Sequence, residues 1–287
     1  MTRLNLNTTL IEEGYHPSNS YDVYDSSGTQ ISNGTVGTGN ITISDDIFVK
    51  IYYAPNTYKV AFNGNGATSG SMSNQSFTYD VAQNLTANAF ARQYTVTYNH
   101  NGSGASNTSA TAKATFNGWA TSSSGSKTYN DKQSVSNLTS TNDGTVTLYA
   151  NWTLGSVTLP SPTRTGYTFA GWNTKSDGSG TNYSGGSSYT PSANTTLYAK
   201  WTINSYTLTI NPNGGTWNST TSNSTAKQNY GTTKTIASPT RTGYTFNGWS
   251  LSGSGSLSGT TYTYGAGNGT LTANWKVNSY TYNIVYK

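Results

Sequence analysis

The twelve residues 161–172, Ser-Pro-Thr-Arg-Thr-Gly-Tyr-Thr-Phe-Ala-Gly-Trp, return at 238–249 with one change, Asn247 in place of Ala170. Each copy is followed downstream by a Leu-x-Ala-x-Trp segment. Self-similarity at this spacing means that the chain is built from small supersecondary units stacked in series. A chain of this kind is read first for what it spaces, displays or grips, and only then for a reaction.

The rest of the 287-residue sequence fits a β reading. Charged residues make up only 9% of the chain, and Thr, Ser, Asn, Gly and Tyr dominate it. Such a composition without pattern would signal disorder. Here Tyr, Phe, Trp, Val and Leu fall at alternate positions in short runs bounded by Gly, Asn, Ser and Pro, which is the pattern of half-buried strands and tight turns. There is no cysteine, so neither a disulfide framework nor a thiolate metal site exists, and stability comes from packing.

Four strand openings share one register: Tyr58-x-Val60-x-Phe62, Tyr94-x-Val96-x-Tyr98, Tyr206-x-Leu208-x-Ile210 and Tyr280-x-Tyr282-x-Ile284. Side chains two apart share a face of a strand, so each triplet presents one apolar face. The first three run into Asn63-Gly64-Asn65-Gly66, Asn99-His100-Asn101-Gly102 and Asn211-Pro212-Asn213-Gly214-Gly215. Asn and Gly accept positive φ, and each site predicts a tight reversal into a second strand. Three closing strands repeat Leu-x-Ala-x-Trp at Leu148 to Trp152, Leu197 to Trp201 and Leu271 to Trp275. Between opening and closing stands Phe-x-Gly-Trp, ending at Trp119, Trp172 and Trp249, where the glycine predicts a bulge or a close backbone approach that re-aims the indole.

Taken in order, these motifs resemble the Listeria-Bacteroides repeat, the family that includes the B-repeat of internalin-type proteins, over residues 58–287. The resemblance implies mainly β structure made of tandem small β-grasp-like, ubiquitin-like modules, found in bacterial surface proteins and in phage-encoded ones, with no catalytic residues. The boundaries that follow are an N-terminal docking domain at 1–57, a first repeat region at 58–153, a second module at 154–203, a third at 204–276 and a terminal strand at 277–287. The first region divides into a partial repeat, 58–93, and a module, 94–153. Two departures stand out: 58–93 has an opening strand without its own Gly-Trp or closing Trp, and 154–203 starts at Val157 without an Asn-Gly hairpin. Modules that share strands would explain both.

Residues 1–57 carry two Lys or Arg against six Asp or Glu, a balance of −4, while the remaining 230 residues carry thirteen against four, a balance of +9. This asymmetry favours a distinct N-terminal β domain, an anchor unrelated to the repeats, although residues 47–53 also read as a diverged closing strand. The terminal opening strand, 279–286, is expected to join a sheet edge of its own chain or of a neighbour.

Catalysis finds little material. The two histidines, His16 and His100, lie in separate segments, and no carboxylate side chain follows Asp177. General acid–base chemistry needs a positioned proton carrier, so no enzyme is expected. Glu12-Glu13 and Asp45-Asp46 read as solvated surface. Asp25 and Asp177, in Asp-x-Ser-like loops, read as turns rather than calcium ligands, and no cofactor or metal is expected. Trp119, Trp152, Trp172, Trp201, Trp249 and Trp275 occupy framework positions and read as structural core. Trp217 has no counterpart in the other modules and follows a turn, which makes it the candidate ligand contact; Tyr262 and Tyr264, on a same-face alternation, read first as packing residues and second as an extension of that surface. Arg164 and Arg241 share one motif position and read as turn-holding residues. The basic residues are too dilute for a nucleic-acid groove, and no apolar run is long enough to insert in a membrane.

The expectation is therefore a phage virion component at the particle surface, a head fibre, capsid decoration or tail-associated protein. Residues 1–57 would dock it on other virion proteins, and the modules would meet host surface polysaccharide. No signal-peptide stretch follows Met1, which separates this reading from a bacterial cell-surface adhesin. A carbohydrate-binding module and a homo-oligomer complete the expectations.

Overall fold

The computed structural model describes residues 12–35, 46–102 and 104–285, so residues 1–11 and 36–45 of the docking domain, Asp45 among them, Ser103 and the last two residues of the terminal strand lie outside it. All of the described secondary structure is β, with no helix. The chain divides into two compact units, residues 1–94 with 111–156 and 190–193, and residues 95–110 with 157–189 and 194–287.

One plan recurs in three sheets. In the first, the opening strand Thr57–Asn63 pairs antiparallel with Gln75–Thr78 on one side and parallel with the closing strand Gly144–Thr153 on the other. The strand bearing Trp119, Thr115–Ala120, lies antiparallel beyond the closing strand. The third sheet repeats this order with Ser224–Asn229, Ser205–Asn211, Gly269–Val277 and Tyr244–Gly253. The second runs Thr108–Lys113, Gln93–Asn99, Thr195–Ile203 and Tyr167–Asn173, and adds Asn182–Tyr183 outside. A helix, which a ubiquitin-like module lays on its sheet, is absent among the described residues. Small sheets take that place, such as Gln83–Asn84 with Ser134–Val135, whose Val135 and adjoining Leu85 join the core of Tyr58, Val60, Phe62, Phe77, Trp119 and Leu148.

The strand pairing changes the boundaries drawn from the sequence. Tyr58 stands opposite Gly144, and Val96 opposite Thr195. The first module thus combines 57–84 with 115–153, and the second combines 93–113 with 157–203, so the opening hairpin of the second is spliced into the sequence of the first. Segments 58–93 and 94–153 are not a partial repeat and a module. Each missing motif is supplied from elsewhere in the chain, and Val157 needs no hairpin of its own because that hairpin is at 99–102.

Local chemistry fixes the pairing. Asn65, Asn101 and Asn213 adopt φ of 46°, 48° and 49°. Their backbone N–H groups donate to the side-chain oxygens of Asn63, Asn99 and Asn211 at 2.8–2.9 Å, and their amides donate to Ala150, Ala199 and Ala273 of the closing strands at 2.9–3.2 Å. Asn142, Asn194 and Asn268, just before or at the start of those strands, accept the backbone N–H of Thr57, Thr95 and Thr207 at 2.8–3.1 Å. Both ends of each parallel pair are therefore clamped by Asn. The bulge expected at Gly-Trp is present in all three sheets. Phe faces the closing Trp, one extra residue intervenes, and Trp119, Trp172 and Trp249 face Ala150, Ala199 and Ala273. The glycines there, Gly118, Gly171 and Gly248, have φ of 136°, 114° and 87°.

The N-terminal sheet, Gln30–Thr35, Tyr15–Asp25 and Ile47–Pro55, shares local geometry with the repeats. Tyr15 faces Pro55 and Pro17 faces Tyr53, as Tyr167 faces Ile203 and Phe169 faces Trp201. Asn56 N–H donates to Gly14 O and Tyr79 N–H to Asn56 O, at 2.7 and 2.8 Å. In the second unit Asn204 donates to Gly166 O and Tyr230 to Asn204 O, both at 2.9 Å. Tyr15 meets Tyr79 edge-on at 6.0 Å, and Tyr167 meets Tyr230 at 6.2 Å. Residues 14–25 and 47–56 thus resemble in pairing the last two strands of a repeat and the joint to the next one, on a more acidic sequence. The terminal segment starts the same way, with Asn278 N–H on Gly243 O at 3.0 Å, but residues 279–285 form no strand, and Tyr280, Tyr282 and Ile284 are 67–84% exposed. It joins no sheet edge among the described residues.

Candidate functional site: a repeated arginine and aromatic groove

Trp217, the expected ligand contact, lies in the core. It is 7% exposed, its Nε1 donates to Ala237 O at 2.9 Å, and it packs with Leu208, Ile210, Ile236 and Leu271. Bridges from Thr216 to Thr240 and from Trp217 to Thr220 fold the turn over the sheet and turn the indole inward. Tyr262 and Tyr264, 0% and 1% exposed, stand in the same cluster. Their hydroxyls donate to Ser254 O and Ala226 O, and burial raises both phenol pKa values. All three rings are buried. Unusual residues in a repeat can mark a local packing solution as readily as a site: Trp119 and Trp172 are fully buried in their modules, while Trp249 sits at the border of its core. Trp152, Trp201 and Trp275 are also half-buried rather than enclosed.

These closing tryptophans build the most regular surface feature of the molecule. Their Nε1 atoms donate to Gly64 O, His100 O and Pro212 O at 2.9, 3.0 and 3.1 Å, which ties each indole to its Asn-Gly turn. Phe116, Phe169 and Phe246 stand edge-on against them at 5.4–5.8 Å. An arginine completes each arrangement. Arg92 and Arg241 donate to Asn65 O and Asn213 O, each at 3.3 Å. The guanidiniums of Arg164 and Arg241 lie 3.8 and 3.9 Å from the rings of Tyr167 and Tyr244, and that of Arg164 lies 5.9 Å from Trp201. Stacking on a tyrosine face is favourable for a planar cation and fixes its orientation.

In the third module this arrangement lines a groove of ≈ 840 Å³ formed by Gly214, Gly215, Arg241, Tyr244, Phe246 and Trp275 with the threonines beside them. The second module has a smaller one, ≈ 320 Å³, between Asn101, Arg164, Tyr167 and Trp201, and there Asp177 and Lys200 enter the lining. Hydrogen bonds from Ser179 hold the Asp177 carboxyl below its usual range, so it is ionised beside Arg164. Sequence reasoning assigned Arg164 and Arg241 to turns, which the Asn213 contact supports, and missed that Tyr and Trp sit beside them. The signal available was their identical motif position.

The other candidates are occupied structurally. Asp25 accepts Ser27 N–H and Thr29 N–H at 2.9 Å, and Asp177 accepts Ser179 N–H at 2.9 Å, so both close their own turns. His16 Nδ1 is 2.8 Å from Asn56 Oδ1 in the first unit, and the His100 ring stands 6.1 Å from Trp172 in the second. Among the described residues no group of three His, Cys, Asp or Glu gathers.

Three β sheets of one plan, each with the same Asn turn and bulge, and two of them with the same Arg-Tyr-Trp surface, define a repeat protein. The family model of the Listeria-Bacteroides repeat domain matches residues 110–151, 153–200 and 206–274, more than half of the chain, and the chain belongs to that family. Neither the curated proteins nor the solved structures compared with it give a match. The first two matched spans omit the strands that open their modules, whereas the third contains its own; splicing in the first two separates the opening strands from the contiguous part of the repeat.

Proposed function

We propose that this chain is a non-enzymatic structural and binding component at the surface of a phage particle, in the role of a head fibre, capsid decoration or tail-associated protein. The observation that carries the reading is the recurrence, in the second and third modules, of an arginine stacked on tyrosine beside the closing tryptophan, on a scaffold whose histidines and loop carboxylates serve its own turns, joints and core. Repetition of a surface site multiplies weak contacts, which suits attachment to polymeric host surfaces. The acidic N-terminal segment, with Glu12, Glu13, Asp22 and Asp25, differs in charge from the basic array and supports docking of residues 1–57 on other virion proteins, without nucleic acid or membrane insertion.

The match to a repeat family favours a second reading, a spacer or adhesin repeat of the bacterial cell surface. Peptide mass spectrometry on density-purified particles, beside protease-shaved host cells, separates the two. Fixed stoichiometry with capsid or tail proteins is the expected result. Recovery from cell surfaces alone would overturn it in favour of the adhesin.

A further inference from the structure

The groove of the third module has the chemistry of an anion site that also holds a ring. Arg241 carries five N–H donors and spends one, on Asn213 O at 3.3 Å. Residues 178–287 contain six Lys or Arg and no Asp or Glu, so within that stretch no side-chain carboxylate can neutralise the guanidinium. Its position is fixed by the Tyr244 face at 3.9 Å and by Gly214, where a Cβ would stand 3.3 Å from Cζ, so a ligand meets a preset fork. Beside it Tyr244, Phe246 and Trp275 give half-buried aromatic surface, and Thr240 and Thr242 give exposed hydroxyls.

We propose that this groove binds an anionic saccharide, a sugar unit whose carboxylate or phosphate is taken by Arg241 while its C–H face rests on Tyr244 and Trp275. A bidentate guanidinium suits either oxyanion, and aromatic carbon suits the apolar face of a pyranose. A single cation in this groove, with no run of basic residues in the chain, gives too little charge to track a nucleic-acid backbone. The second module supplies an internal comparison. Its Arg164 and Tyr167 repeat the geometry at 3.8 Å, but Asp177 lines the groove and repels an anion. The inference rests on the array being a surface-contact protein and names the class of ligand that it contacts.

The test is a titration of the full chain with a hyaluronate hexasaccharide, a size-matched phosphate-bearing glycan, neutral dextran and a single-stranded oligonucleotide. Calorimetry is combined with nuclear magnetic resonance of the seven tryptophan indole N–H signals. At least one of the two charged sugars should bind, dextran should not, and the comparison between them distinguishes carboxylate from phosphate. The Trp275 signal should move while those of buried Trp119 and Trp172 stay. Arg241→Gln should weaken binding about tenfold or more, the loss expected for one charge-assisted contact, and Asp177→Asn should add a second, weaker site. Equal binding of dextran, stronger binding of the oligonucleotide, or a stationary Trp275 signal in the unaltered chain would each overturn the proposal. The last of these does not depend on any variant folding. None of these outcomes bears on whether the chain is found in phage particles, so the two readings fail separately.

Discussion

At the scale of single residues, glycine and tryptophan decide most. A Cβ on Gly118 would stand 2.3 Å from Tyr129 O, whereas one on Gly248 meets nothing within 4 Å, although both have positive φ. Gly118→Ala should therefore destabilise by about 2–4 kcal/mol and Gly248→Ala by about 1 kcal/mol, the second figure being backbone strain alone, as read from urea unfolding. Trp217→Ala should cost about 3–5 kcal/mol by emptying the core and leaving Ala237 O without its donor, so its melting temperature falls whether or not a ligand is present. Asp80 gives a pH dependence. Hydrogen bonds from Asn137 and Tyr15 hold its carboxyl below the ordinary 3.8. A carboxyl depressed in the folded state stabilises above its unfolded value and loses that contribution as pH falls through the lower native one. Stability should decline below about pH 4 in an acid titration, and less steeply in Asp80→Asn.

At the scale of strands, the opening strand is the part of each module that other strands require. Tyr58-Val60-Phe62, Val96-Tyr98 and Leu208-Ile210 are buried as the alternation predicted, and each lies parallel to a closing strand. Deleting residues 93–102 should therefore strip hydrogen-exchange protection from Leu197 and Ala199 while Leu148 and Ala150 stay protected, although the deletion lies between the strands of the first module. Residues 279–285, which pair with no strand among the described residues, predict the opposite: their removal should leave the melting temperature unchanged. Alternation and turn residues were legible because they act within a few residues. The partner of a parallel strand was not, since Val96 and Thr195 are joined by no local chemistry.

At the scale of the whole molecule, splicing sets how the chain can be cut and how fast it assembles. A fragment of residues 94–153, a natural module by motif order, lacks the strand that pairs with Val146 and Leu148 and should show no cooperative melting by circular dichroism. A fragment of residues 57–203 contains both sets of partners and should melt cooperatively. The third module closes Leu208 on Gly269, a shorter loop than Tyr58 to Gly144 or Val96 to Thr195, and should gain exchange protection first during refolding.

The sequence by itself determined the β class, the repeat family, the Asn turns and the bulge before each Gly-Trp tryptophan, because each is written in residues that touch their neighbours along the chain. It also displayed the arginine that recurs at one motif position. Only the tertiary structure decided which opening strand serves which closing strand, that Trp217, Tyr262 and Tyr264 face inward, that the N-terminal sheet pairs its strands as the repeats pair theirs, and that Arg241 shares a groove with Tyr244 and Trp275. Those outcomes depend on which distant surfaces bury one another, and burial is a property of the folded chain rather than of any segment of it.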